Sequence, residues 1–174
     1  MEHQFERINR LPPYVFSEVN EMKARARAAG LDIIDFGMGN PDSPSPTHVV
    51  EKLVEAVQDP RTHRYSTSRG IRGLRRALAE YYQRRFDVVL DPDEEVIVTL
   101  GSKEGLANLA SAISAPGDVI LVPNPSYPIH PYGFIIAGAD VRHVPAGPGF
   151  DLMAEIHRAV KDSIPSPRAL VLNF

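Results

Sequence analysis

The chain has 174 residues, 22 acidic and 19 basic side chains, a formal charge of −3, 43% hydrophobic and 24% charged residues. That mix is ordinary for a folded domain and speaks against disorder and against a basic nucleic-acid binder. With no cysteine, disulfides, iron–sulfur clusters and thiolate zinc sites are excluded, and no apolar run approaches the ~20 residues that span a bilayer.

The charged stretch Met1–Arg10 lacks the apolar core of a secretory signal. A cytoplasmic protein is expected, with no membrane or nucleic-acid partner and no metal. In chain order, an N-terminal arm leads to a helix that Ser17 can cap, that Glu18 and Glu21 suit at its positive end, and that Gly30 can terminate. Ile33, Ile34 and Phe36 suggest a short extended piece running into Gly37-Met38-Gly39-Asn40-Pro41-Asp42. Pro46 and Thr47 open a second helix whose apolar positions Val49, Val50, Leu53, Val54 and Val57 make a helical stripe, and Asp59-Pro60 ends it. A loop with His63, Tyr65, Ser66 and Ser68 precedes a third helix marked by Ile71, Leu74, Leu78, Tyr81 and Tyr82. Its arginines Arg72, Arg75, Arg76, Arg84 and Arg85 are expected mostly on the wet side.

After Asp91-Pro92 the pattern changes. Val96–Leu100 reads as a strand, Gly101-Ser102 as a turn into a helix carrying Leu106, Leu109, Ala110 and Ile113, and Pro116-Gly117-Asp118 as its break. Val119–Val122 reads as a buried strand, followed by a proline-rich loop, a helix over Ile129–Ala137, a strand from Asp140 to Val144, a helix capped by Asp151, and a last strand over Ala169–Phe174. Strands alternating with helices predict an α/β fold: a mainly parallel sheet flanked by helices. The apolar run Arg168–Phe174 has no covering helix after it, so the sequence reads as the front part of a longer protein.

In such sheets ligands gather at the carboxyl ends of the strands. Thr99–Gly105 delivers a Gly-Ser turn onto a helix start, where N–H groups face outward and favour an anion. Gly101 permits close backbone approach, Ser102 offers a hydroxyl and Lys103 a positive charge, a phosphate cradle that is neither a Walker loop nor a GxGxxG fingerprint. Many such turns bind nothing. Pro123-Asn124-Pro125-Ser126-Tyr127-Pro128 follows the next strand on the same edge, and its prolines can hold Tyr127 over a flat ring or simply let it plug the loop. At Gly39 a backbone N–H could meet a carboxylate, as in any tight turn.

Taken together, these segments resemble the class I/II aminotransferases, pyridoxal-phosphate enzymes of fold type I. The matching pieces are Asp35–Asp42, Tyr65–Arg75, Val98–Gly105, Pro123–Pro128 and Leu172–Phe174, in order and register across essentially the whole chain. The last looks like the opening of the family's Asn-Pro-x-Asn-Pro-Thr segment. Details at Leu11–Tyr14 and Ser126–His130 are most similar to bacterial alanine transaminases and diaminopimelate-aminotransferase-like relatives. The resemblance implies a fold type I large domain, incomplete at its C-terminus, with residues 1–46 an N-terminal arm and helix and 47–174 the first part of the cofactor domain. It implies pyridoxal 5'-phosphate as cofactor, its phosphate held by Gly101, Ser102 and Lys103 and its ring stacked on Tyr127. Gly39 would bind the substrate carboxylate. Tyr65 would reach a partner's cofactor phosphate across a homodimer, and the arm would pack on the partner or close over the site.

The reaction needs a lysine that forms a Schiff base with the cofactor aldehyde. The four lysines are Lys23, Lys52, Lys103 and Lys161, and none follows a late strand, where the family places that residue. Lys23, Lys52 and Lys161 read as solvated helix residues. The expected activity is therefore transamination between an alanine-like amino acid and a 2-oxo acid by the complete protein, with no catalytic residue in this chain and no activity from it alone. The competing reading is a truncated, non-catalytic relative that keeps a phosphate turn and an interaction surface. A doubly wound nucleotide binder would need a glycine fingerprint that is absent here.

Overall fold

The computed structural model describes residues 5–37, 39 and 41–173. Their contacts gather into two units: residues up to 12 together with those from 98 onward, and residues 13–97.

The first unit is built on one strand. β1 (Val119–Asn124) pairs in parallel with β2 (Asp140–Pro145) on one side and with β3 (Ala169–Leu170) on the other, giving the order β2-β1-β3. Val119, Ile120, Leu121 and Val122 are all buried, as expected for an unbroken β-branched and aliphatic run covered on both faces. Side chains alternate along a strand, so two cores form. Ile120 and Val122 pack with Ala110 of α5 (Ser102–Ile113), Phe134 of α6 (Ile129–Ala137), and Ala139. Val119 and Leu121 pack with Val144 and with Ile156 of α7 (Leu152–Asp162) on the opposite face. Asp151 caps α7 by accepting from the N–H groups of Met153 at 3.0 Å and Ala154 at 3.2 Å.

Two expectations for this unit need correction. Val96–Leu100 was expected as a strand, but no described residue pairs with it, and Ile97 and Leu100 are 65% and 91% exposed. An apolar run makes a strand only where another strand offers its hydrogen bonds, and no described strand offers them to this one. The final strand is shorter than expected: β3 covers Ala169–Leu170, with one further bond from Val171 N to Leu121 O at 3.0 Å, and Phe174 lies outside the described residues. α1 (Glu6–Asn9) rests on α6 of the same chain, where Arg7 donates to the Ile136 carbonyl at 3.4 Å. Carbonyls at a helix C-terminus lack partners within their own helix and attract a cation.

The second unit carries α2 (Val15–Ala28), α3 (Thr47–Gln58) and α4 (Arg72–Phe86). Ser17 does not cap α2: the helix begins at Val15, directly after the extended Pro12–Tyr14 segment, and Ser17 N already bonds Tyr14 O at 2.9 Å inside the first turn. Gly30 does end it. Its φ of +78° lets Leu31 N reach Ala26 O at 3.1 Å and Gly30 N reach Arg27 O at 3.0 Å, a left-handed closure that glycine adopts without strain. The α3 stripe faces outward, Leu53 being 63% exposed. Among the described residues, no helix is long and apolar enough to cross a membrane.

Burial separates the two kinds of apolar residue. Phe134→Ala, at a site 2% exposed, is expected to cost about 3–5 kcal/mol, whereas Leu53→Ala should cost under ~1 kcal/mol; urea denaturation of the 174-residue chain measures both. The Arg75 guanidinium, helped by Arg72, holds the Asp93 carboxyl below the usual carboxylate range. That stabilisation is complete above the unfolded-state value near ~4 and is lost as pH falls through the lower folded value. Asp93→Asn should therefore flatten the acid limb of a stability-versus-pH curve followed by circular dichroism.

Candidate active site

α5 starts from a turn that its own side chains brace. Gly101 precedes the helix at φ +87°, where an L side chain is strained, although a Cβ there would meet nothing within 4 Å. Thr99 Oγ1 donates to Gly101 O at 3.0 Å, and the Glu104 carboxylate accepts from Leu100 N–H. Gly105 N closes the first helical bond on Gly101 O at 3.2 Å. A Cβ on Gly105 would stand 3.1 Å from Thr99 Oγ1, so the brace also needs a bare backbone there. This leaves the space before Gly101 open, with Ser102 and Lys103 in the first helical turn. A first turn presents N–H groups that its own carbonyls cannot bond, at the positive end of the helix dipole.

The second element is the loop after β1, with a cis peptide at Asn124–Pro125. The Asn124 carbonyl accepts from Ala146 N at 3.0 Å, and the Tyr127 carbonyl accepts from His130 N at 3.0 Å as α6 begins. The Tyr127 ring meets His130 edge-on, centroids 6.1 Å apart, and is exposed. Lys103 Nζ sits over that ring, 5.2 Å from its centroid. The α5 start and Tyr127 thus lie within reach of one small molecule, as the sequence led us to expect. Cation, hydroxyl and helix N-terminus suit a phosphate dianion, and the neighbouring Glu104 carboxylate is turned back onto Leu100. The donor set fits the phosphate ester of pyridoxal 5'-phosphate, and the aromatic face fits its ring.

The other two expected residues belong to the second unit, and each is described within it. Gly39 is exposed, with nothing within 4 Å of a Cβ built on it, while Met38 and Asn40 lie outside the described residues. Nearby, Gly37 N donates to Asp35 Oδ1 and Lys23 Nζ to Asp35 Oδ2, both at 2.9 Å. Lys23, and then the Gly37 N–H, hold the Asp35 carboxyl below its ordinary range. Lys23 is therefore not the solvated residue expected: it is mostly covered and ion-paired. Tyr65 is fully exposed. Lys52 bonds Glu55 on the same helix at 2.6 Å, and Lys161 is exposed on α7.

Thr99 and Glu104, which brace the turn at Gly101, are not marked out by residue type alone. The available signal was spacing, since a glutamate at the third helical position commonly reaches back to the N–H groups before the helix.

The aminotransferase class I and II family matches residues 31–171. The chain belongs to that family, whose members use pyridoxal 5'-phosphate. It is 60% identical over 171 residues to the Rhizobium meliloti protein AatC, covering 98% of this chain and 42% of that one. It is 57% identical over 173 residues to the glutamate-pyruvate aminotransferase AlaC of Escherichia coli, covering 99% and 42%. Among solved structures, an aspartate aminotransferase mutant of Thermus thermophilus superposes with a TM-score of 0.87 at 32% identity, over 99% of this chain and 45% of that one. The chain thus spans about two fifths of the length of the curated relatives it matches.

Glu104→Ala leaves Leu100 N–H without its acceptor and should destabilise the start of α5 by about 0.5–2 kcal/mol. Amide hydrogen exchange should show faster exchange confined to residues 100–105.

Proposed function

We propose that these residues are the N-terminal part of a pyridoxal-phosphate-dependent aminotransferase that acts in the cytoplasm as a homodimer. It exchanges the amino group of a small, alanine-like amino acid with a 2-oxo acid. The 174-residue chain does not turn over alone. The observation that carries the reading is the placement of Lys103 over Tyr127 beside the open turn at Gly101. The alanine-like substrate is supported by the likeness to glutamate-pyruvate aminotransferase, which exceeds the 40% identity to an LL-diaminopimelate aminotransferase of Dehalococcoides mccartyi.

When bound, the cofactor supplies an aldehyde and a protonated ring that accepts electrons during amino-group transfer. In this reading the backbone at Gly101 and Ser102, the Ser102 hydroxyl and the Lys103 charge hold its phosphate. Tyr127 lies against its ring and keeps water from that face. Gly39 offers its N–H to the substrate carboxylate, and Tyr65 donates its hydroxyl to the phosphate held by the partner subunit. The Schiff-base lysine comes from outside residues 1–174. Two of the lysines present support this, because Lys23 is engaged with Asp35 and Lys52 with Glu55.

The complete protein incubated with alanine and 2-oxoglutarate should form pyruvate, followed through lactate dehydrogenase, and the 174-residue product should not. Ser102→Ala should weaken cofactor binding roughly tenfold, the worth of one hydrogen bond to a charged group. Turnover by the short product, or unchanged affinity in the variant, would contradict this reading.

A further inference from the structure

Arg75 differs from the other arginines of α4. Arg72, Arg76, Arg84 and Arg85 lie in solvent, whereas the Arg75 side chain is 11% exposed. Its guanidinium serves three acceptors outside the helix. Nε donates to Gly70 O at 3.3 Å, and Nη1 donates to Pro92 O and, at 2.9 Å, to Asp93 Oδ1. Asp93 is fixed in turn. Its N–H donates to Asp91 Oδ1 at 2.7 Å, its Oδ2 accepts from Arg72 at 3.1 Å, and its carbonyl accepts from Arg69 at 2.5 Å.

The other end of this clamp is the turn Thr67–Gly70. Gly70 N bonds Thr67 O at 2.9 Å, and Gly70 O accepts from Thr67 Oγ1 at 2.7 Å as well as from Arg75. On the far side of Tyr65, His63 Nε2 is 2.8 Å from Val57 O of α3. Tyr65 therefore stands at the crest of a short arch, anchored at His63 and at Thr67–Gly70, with its own ring fully exposed. An exposed side chain that must meet a ligand loses affinity to the cost of ordering itself and its loop, and an anchored arch lowers that cost.

We propose that Arg75, locked by Asp93, is a positioning residue that pre-orders the Tyr65 arch for the partner's cofactor phosphate. The inference rests on the role proposed above for Tyr65. A rigid fork aimed at two carbonyls and a carboxylate is what arginine supplies and lysine does not.

The test uses the complete, cofactor-loaded protein and measures the dissociation constant of pyridoxal 5'-phosphate for Tyr65→Phe, Arg75→Met, Asp93→Asn and the double variant Tyr65→Phe/Arg75→Met. Tyr65→Phe should raise it roughly tenfold. Arg75→Met should raise it several-fold, Arg75→Lys should not restore it, and the double variant should be no weaker than Tyr65→Phe alone. Without cofactor, Arg75→Met should speed amide exchange at residues 66–70 while the rest of α4 keeps its protection. If Tyr65→Phe leaves affinity unchanged, the Tyr65 role fails. If Tyr65→Phe weakens binding while Arg75→Met is silent or simply additive, positioning by Arg75 is overturned. Should Arg75→Met not fold, Asp93→Asn, which leaves both carbonyl bonds in place, carries the same comparison in combination with Tyr65→Phe.

Discussion

Burial of β1 on both faces is the constraint from which the first unit follows. Val119 to Val122 present no side to water, so helices must cover them above and below, and parallel neighbours must satisfy both edges. A parallel strand cannot be reached by a hairpin. The chain therefore leaves the carboxyl end of β1, crosses back through α6 to β2, and again through α7 to β3. The same rule puts the loop after β1 at one end of the sheet. Packing of Ala110 and Phe134 against Ile120 and Val122 then holds α5 alongside α6.

That arrangement makes the electrostatics local and cheap. The α5 start is positive by its dipole and by Lys103, whose ammonium lies over the electron-rich face of Tyr127. Glu104, the acid closest in sequence, is committed to the Leu100 N–H, where it shapes the turn. Neutral donors and a cation around the glycine turn suit the phosphate of the family's cofactor.

The second unit uses charge differently. Its ion pairs are structural ties: Lys23 with Asp35 beside the Gly37 turn, and Arg75 with Asp93 beside the Gly70 turn. The first ties α2 to the loop bearing Gly39, and the second fixes the Arg75 guanidinium, whose Nε bonds Gly70 O at the end of the loop bearing Tyr65. Apolar side chains of α3 meanwhile face outward, so this unit relies on hydrogen-bonded anchoring more than on a shared core.

Local pattern was enough for what local forces control. The helix over Ile129–Ala137, the Asp151 cap, the Gly30 stop and the buried run of β1 were all legible, because each depends on residues within a turn or two of one another. The cradle at Gly101–Lys103 and the ring at Tyr127 were legible as separate features for the same reason. That both would lie on one edge of the sheet was expected too; the 5.2 Å between Lys103 and Tyr127 is set by how α5 and the β1 loop pack. Val96–Leu100 reads as a strand yet has no partner among the described residues, and Arg75 reads as a wet helix residue yet is mostly covered, bonded to the loops at Gly70 and Pro92–Asp93. Sequence alone determined which segments could be helices, turns and anion-friendly helix starts, because those preferences are carried by neighbouring residues. Tertiary structure decided which apolar run found a partner and which charge was covered, because pairing and burial join residues that the sequence holds far apart.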